Sequence, residues 1–518
     1  MPDETLPPAV PRRERVAGVV LAAMVGGYVA VFGLLTWRQQ TNYGTFGFDM
    51  GLHDQGIWLT SKFVSPFVTV RGMNYYGHHV NLVSVLYAPA YWLGAGPRFL
   101  YLTETIALAL GAVPLWLLAR LRMRSSWLAL VPAAAWLLHP SVEWINWWHW
   151  HPETMAITPL LFAWWFAVQA RWRPFAASVA LALLCKEDVA LAVLMLGVVI
   201  AVVPFAREHA SRREVRRAGV LTAVAGGSWF VLCTRVFIPA ILGASPFYER
   251  TLFPDYGDSM GSILWGMFTN PDRVLGDALE AGRLEYYLQL TGPFGILAVV
   301  AALPVVGIAA PQLVVNVLSS LPGTYDIRFQ YSSMVLVAVA LAAVEGLGVL
   351  RALAAGRAGD GRIGAHAARP SRLAQLPLAV AVFTMAVGAV GANALWSPSP
   401  LGDEYDTGIW AQRIPRHDVF DQATAMVPDD ASVAASYYLI PHLTHRREAY
   451  EWPNPWILVN WGLSGEDPPD PDSVDYLVLD RTLDQEPALV ASLTGPLGEF
   501  DVLLDRDNVL VARRRDAR

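Results

Sequence analysis

The sequence predicts an α-helical polytopic membrane protein with a small α/β domain near its C-terminal end. Three observations lead there. The 518 residues are 54% hydrophobic and only 16% charged, and mean hydropathy is +0.37, too apolar to give a soluble chain of this length a polar surface. Arginines fall in clusters separated by long apolar runs. Roughly the last 120 residues lose that pattern and read as short strands between turns.

The net charge of −6 offers no basic surface for nucleic acid. Cys185 and Cys233 both lie in apolar runs and read as packing residues rather than a disulfide. Only Lys62 and Lys186 are lysines among 38 basic residues, which makes Lys186, inside an apolar stretch, conspicuous.

Basic loops stay in the cytoplasm. Placing Arg12–Arg15, Arg120–Arg124, Arg171–Arg173, Arg207–Arg217 and Arg351–Arg372 inside fixes the crossings between them. Residues 1–15 become a cytoplasmic N-terminus. Val16–Trp37 is an uncleaved first helix of about 22 residues, enough to span a bilayer. Phe99–Ala119 returns and leaves residues 38–98 as an outer loop, with the apolar Val80–Leu93 along the surface. Trp127–Leu138 and Thr154–Ala170 form the next pair. The run Pro174–Phe205 would strand an arginine cluster outside unless it breaks at Lys186-Glu187-Asp188. Its first arm, about 11 residues at ~1.5 Å each, is too short for ~30 Å of hydrocarbon. Short arms imply a cavity sunk into the membrane. Pro152 suits the first turn of a descending helix, and Glu187 and Asp188 suit a helix N-terminus.

Further on come Ala218–Leu242, an outer loop Gly243–Thr291 and a hairpin of Gly292–Ala309 with Pro311–Leu321. Tyr331–Leu350, a flexible cytoplasmic linker at 351–373 and Gln375–Leu395 follow. The expectation is about eleven helices within residues 16–396. Residues 397–518 are expected outside, with strands at Ala431–Tyr437, Val474–Leu479, Val502–Leu504 and Val509–Val511 and a turn-rich connector at Pro468–Asp472.

Three polar clusters interrupt the apolar helices: Phe48–Gln55, His149–Glu153 and Lys186–Asp188. Charge between membrane segments is costly unless it lines a cavity or a pathway. Asp49 and Asp54, with His53 between them, read as a general base or a metal-held carboxylate. They read equally as ordinary acids of a solvated loop. Arg71, His78 and His79 suit a phosphate or an anchor at the headgroups. His149 and His151, with Glu153, could converge on a metal, although their spacing is not that of the specific metal motifs. The eight tryptophans from Trp136 to Trp172 suit an interfacial belt or a stacking surface. Lys186-Glu187-Asp188 is either an ion-pair knot fixing the helix break or a lysine that holds a lipid phosphate.

Phe48-Asp49-Met50-Gly51-Leu52-His53-Asp54-Gln55-Gly56-Ile57-Trp58 resembles the Tyr-Asp-Leu-Gly-Ile-Phe-Asp-Gln-x-x-Trp opening of a bacterial family of predicted membrane proteins, domain of unknown function 2079. That family's His-Phe-Ser-Pro and Leu-Ala-Pro-Leu-Tyr runs correspond to His79–Leu82 and Tyr87-Ala88-Pro89-Ala90-Tyr91. Its Phe-His-Pro corresponds to Trp150-His151-Pro152, and its Lys-Glu-Asp to Lys186–Asp188. Pro428-Asp-Asp-Ala-Ser-Val and Asp475-Tyr-Leu-Val-Leu-Asp480 match near the end. His53 replaces Phe, and Val80–Leu82 replace Phe-Ser-Pro, so the second loop departs from the pattern.

The family is similar to the GT-C glycosyltransferases, which include protein mannosyltransferases and aminoarabinose transferases. The resemblance implies a bacterial cytoplasmic-membrane enzyme, N-terminus inside and C-terminal domain outside. It would move sugar from a polyprenyl-phosphate donor to a glycan, lipid or protein acceptor of the cell envelope. By the same resemblance Asp49 is the base, with Asp54 as second choice. Lys186, Arg71 and His79 hold the donor phosphate. His151, Glu153, Glu187, Asp188 and Gln55 position substrate. A divalent metal, Mg or Mn, would sit on Asp49, His149 and His151. A lipid or solute transporter using the same charges, and a non-catalytic envelope assembly protein, are the competing readings. An enzyme predicts that the three clusters meet in one cavity.

Overall fold

The computed structural model describes residues 12–203, 210–242, 252–355, 375–462 and 469–516. The expected linker lies outside these residues from position 356 onward, as do residues 1–11, Arg207, the first part of the expected loop at 243, and Pro468.

Five helices are long and apolar enough to cross a membrane: Arg12–Thr41, Pro97–Met123, Arg212–Leu242, Gln330–Ala354 and Leu376–Trp396. They coincide with five of the predicted crossings. Gln330–Ala354 is the hub, with 89% of its apolar window buried inside the protein, against 22% for Arg12–Thr41 and 28% for Leu376–Trp396. A helix that is apolar all round but exposed belongs against lipid, whereas the central one meets other helices. Its one acid, Glu345, takes Arg122 at 2.7 Å and the Trp164 indole N–H at 2.8 Å. A buried carboxylate in this position is tolerated because it is paired and hydrogen-bonded.

The predicted break is present. Trp172–Leu183 has 12 residues and Val189–Val202 has 14, with Lys186-Glu187-Asp188 between them. At ~1.5 Å per residue each arm reaches only about 20 Å. Glycines let the second arm pack tightly on Arg212–Leu242. A Cβ on Gly219 would stand 2.6 Å from the Ala201 N, and one on Gly226 would stand 2.5 Å from the Leu194 N. Such close backbone approach is how membrane helices associate without a hydrophobic driving force.

Two stretches differ from expectation. The described part of the loop expected at Gly243–Thr291 contains three helices, Met260–Thr269, Pro271–Ala278 and Ala281–Thr291. Ser259 and Ser262 cap the first reciprocally, and Pro271 opens the second, so short range signals suffice where no long apolar run exists. The hairpin arm expected at Gly292–Ala309 is instead a short helix, Ile296–Ala301, followed by the 3₁₀ turns of Leu303–Ala309. Gly295 at φ +72° and Pro304 interrupt it.

Two short strands in the segment between the first two long helices, β1 (Phe67–Val68) and β2 (Met73–Asn74), pair antiparallel. Near the C-terminus, β3 (Val433–Ala435), β4 (Ala449–Glu451), β5 (Tyr476–Asp480), β6 (Phe500–Arg506) and β7 (Val509–Arg514) form one sheet in the order β4-β3-β5-β7-β6. β3 runs parallel to both β4 and β5, and β7 antiparallel to β5 and β6. The predicted strands are all represented, and the short β1, β2 and β4 lie outside the expectation. Alternation divides the faces. Leu477 and Leu479 pack with Trp452 and Phe500, while Val433, Val478 and Val511 join the main core with Leu439 and Ile440. The second face rests on the loop that carries Asp49, where the Gly47 N–H meets the Tyr437 carbonyl.

Gly219→Leu is expected to prise Arg212–Leu242 away from the broken helix, costing about 1–3 kcal/mol from overpacking. Thermal melting of the purified protein in detergent checks this: Gly219→Ala should fall between wild type and Leu.

Candidate active site

The loop after the first long helix contains a tight turn, Gly47–Gly51, one residue wider than an α-helix, which runs directly into the helix Leu52–Ser61. Widened turns of this kind re-aim a side chain, and here the side chain is Asp49. Gly47 is required by close approach: a Cβ there would contact Ile440 and lie 2.6 Å from a Glu451 carboxylate oxygen. Its N–H donates to the Tyr437 carbonyl at 3.0 Å.

The two candidate acids have different surroundings. Asp54 is fully buried. It accepts from the Tyr91 hydroxyl at 2.7 Å and from the Thr444 hydroxyl, and His445 Nε2 lies 3.1 Å away. Gln55 is likewise enclosed, donating to the Thr69 hydroxyl at 2.9 Å and accepting from the Val70 N–H at 3.1 Å. The structure thus places Asp54 and Gln55 in the joint between this loop and the C-terminal region. Asp49, with its side chain 13% exposed, borders a cavity.

His149 ends the helix Pro140–Trp148 at φ +112°, a conformation that costs an L-residue on the order of 1–3 kcal/mol. The turn sends Trp150 into the core against His53 and the Tyr87 ring. It then brings His151 back to face Asp49. His151 Nδ1–H donates to the His149 carbonyl at 3.0 Å, which leaves Nε2 3.5 Å from Asp49 Oδ1. Two residues on, Glu153 meets Lys186 Nζ at 2.8 Å. Lys186 also approaches Asp188 at 3.4 Å. Glu187 turns the other way, taking His79 Nδ1 at 2.7 Å and the Val80 N–H at 3.0 Å.

Three contacts therefore tie the clusters together: Asp49 with His151, Glu153 with Lys186, and Glu187 with His79, which returns to the loop that carries Asp49. They border a cavity of about 310 Å³ that His53 and His78 also line, and the rest of its lining is largely apolar, with Leu191, Phe230, Ile308, Val315 and Met334. Of the sequence-predicted site residues, Asp49, His79, His151, Glu153, Lys186, Glu187 and Asp188 line it. Arg71 does not. It is buried behind Phe48, its guanidinium 3.7 Å from that ring. His149 also lies behind the cavity wall, both its ring nitrogens buried without partners. Among the described residues no three His, Cys, Asp or Glu side chains stand close enough to hold a metal ion. As arranged, Asp49, His149 and His151 do not form a Mg or Mn site.

Burial raises the Asp49 carboxyl, but the hydrogen bond and charge of His151, then His149 and Arg71, outweigh it and hold it below its ordinary value. His151 moves oppositely: burial lowers it, and Asp49 more than restores it, leaving it above its ordinary value. Each partner thus favours the charged form of the other. Behind it, burial pushes Glu451 up to about 7 against the pull of Arg71. Burial also brings Arg71 down to about 10 despite Glu451 and Asp49.

Glu451, on β4, Gln330 and Tyr331, at the start of the central helix, and His445 were not found from sequence. Gln330 and Tyr331 line the cavity. Nothing local marks any of the four, because each reaches the site through a fold contact hundreds of residues distant from Asp49 in sequence.

A family model described as "Predicted membrane protein (DUF2079)" matches residues 42–494, most of the chain, so the chain belongs to that family. No curated protein matches. The crystal structure of ArnT from Cupriavidus metallidurans in the apo state aligns with a TM-score of 0.52 and 15% sequence identity, over 96% of this chain and 98% of that one. The fold is thus the GT-C-like polytopic fold that the resemblance implied.

Glu451 yields a signed pH effect. An acid raised by folding binds more protons folded than unfolded, so the wild type loses stability as pH rises from about 4.5 towards 7. Glu451→Gln should remove that slope, by on the order of 2 kcal/mol between pH 5 and 8. Melting temperatures of both proteins at the two pH values measure the difference.

Proposed function

From that family membership and from the cavity we propose a membrane glycosyltransferase. It moves a sugar from a polyprenyl-phosphate donor to a glycan, lipid or protein acceptor on the outer side of the bacterial cytoplasmic membrane. The N-terminus would then be inside and residues 397–518 outside. The observation that carries this reading is the mixed lining of one cavity: the carboxylates and cations of the three clusters share it with a largely apolar, lipid-compatible set of side chains. A polyprenyl phosphate needs both, and intramembrane charge belongs in such a pathway.

In this mechanism Asp49 accepts the proton of the acceptor hydroxyl. The acceptor oxygen forms a bond to the anomeric carbon. The bond from that carbon to the phosphate oxygen breaks, and polyprenyl phosphate leaves with the electron pair. His151, fixed by the His149 carbonyl, orients Asp49. Lys186 uses two of its three N–H directions on Glu153 and Asp188. The third, with His79, meets the phosphate as its charge grows. Glu153 and Asp188 each keep one carboxylate oxygen without a partner, acceptors suited to sugar hydroxyls. Arg71, set behind Phe48, acts on Asp49 through charge.

Asp49→Asn should lower transfer from radiolabelled polyprenyl-phosphate sugars in membranes by about 10²–10⁴-fold, measured per amount of folded protein. Transfer at the wild-type rate would remove Asp49 from the mechanism. Asp54→Asn should instead reduce folded yield, since it unsettles a buried, fully bonded carboxylate. His151→Gln should retain folding and move the acidic limb of the kcat/KM profile to higher pH, because Asp49 loses its largest acidifying partner.

A further inference from the structure

A second concavity, of about 370 Å³, opens where the chain passes from the Leu376–Trp396 helix into the C-terminal region. Trp144, Tyr325 and Trp396 wall it, and Glu285, Asp326 and Glu404 supply its acids. Its size falls within the range of small-molecule pockets.

The pocket is rigidly built. The Trp144 indole N–H donates to the Trp396 carbonyl at 2.6 Å, so this tryptophan is not free to lie among lipid headgroups. The guanidinium of Arg283 sits 4.4 Å from the Tyr325 ring. The Ser141 hydroxyl holds the Ile327 carbonyl at 2.9 Å.

Its charge narrows the ligand. Arg328 is engaged by Asp326 through three contacts of 2.6 to 3.1 Å. Glu285 and Glu404 take part in no ion pair among the described residues. The pocket therefore presents hydrogen-bond acceptors and a net negative charge, three acids to one arginine, beside flat aromatic faces. Sugar hydroxyls donate to carboxylates, and the C–H face of a pyranose ring covers an aromatic ring. A phosphate or carboxylate would be repelled.

Its position narrows the role. Leu321, Thr324 and Gln330 line the first cavity, while Pro322, Tyr325 and Arg328 of the same segment line the second. One short wall separates them.

We propose that this pocket is a subsite for a neutral or amino-bearing saccharide unit of the acceptor, which it holds one wall away from the point of transfer. The inference rests on the glycosyltransferase reading for its role, but binding is measured without turnover. The full chain in nanodiscs is titrated with cellobiose, chitobiose and the glucosamine disaccharide, with glucose 6-phosphate as the anionic control, and followed by saturation-transfer NMR. At least one of the three uncharged or amino disaccharides should bind, and glucose 6-phosphate should not. Trp396→Ala and Glu404→Gln should each weaken binding about tenfold, the loss of one good contact, while Asp49→Asn leaves it unchanged. Absence of binding by all three disaccharides, binding that survives both pocket substitutions, or equal binding of the phosphosugar would each overturn the subsite. If the disaccharides bind as expected yet no donor sugar is ever transferred, the glycosyltransferase reading fails and the saccharide site stands.

Discussion

The structure depends on a circuit of buried charge. Asp49, His151, Glu153, Lys186, Glu187 and His79 form three pairs, and each pair joins two different stretches of chain. Removing one partner from a buried pair leaves an uncompensated charge that costs several kcal/mol. The loop that carries Asp49, the His149 turn and the broken helix are therefore mutually fixed. The break itself follows: two arms of 12 and 14 residues cannot hold Lys186 in hydrocarbon, but they can hold it at the floor of a cavity.

Two aspartates five positions apart in one short loop come to opposite ends. Asp54 has its oxygens taken by Tyr91 and Thr444, with His445 beside it, and faces no cavity. Asp49 has one imidazole partner at 3.5 Å and faces open space. The widened turn at Gly47–Gly51 produces the difference, since it rotates Asp49 out of register with the helix that buries Asp54. The first carboxylate can exchange a proton, and the second ties the loop to the C-terminal domain.

That domain does more than cover the site. Tyr437 holds the Gly47 N–H, and the Arg71 carbonyl receives the Gly462 N–H at 2.7 Å. Gly72, at φ +59°, leaves room for the Trp461 ring directly on the backbone. Glu451 stands behind Arg71 and Asp49. The loop that presents the candidate base is thus packed between helices on one side and a sheet on the other. An acid such as Glu451 reaches the base only because β4 lies at the edge of the sheet.

The sequence by itself determined the membrane class, the five long helices, the broken helix at Lys186 and most of the strands. Each is written in local quantities: apolar length, arginine clusters, alternation. It also isolated the three polar clusters, because charge between apolar runs stands out wherever it ends up. Only the tertiary structure decided which members of those clusters face one cavity. Arg71, Gln55 and Asp54 carry the same charge or polarity in sequence as the lining residues, yet Phe48 covers the first, and the C-terminal domain encloses the other two. Glu451, Gln330 and Tyr331 arrive from distant strands and helices. Partner identity at long range is set by packing, and no periodicity along the chain encodes it.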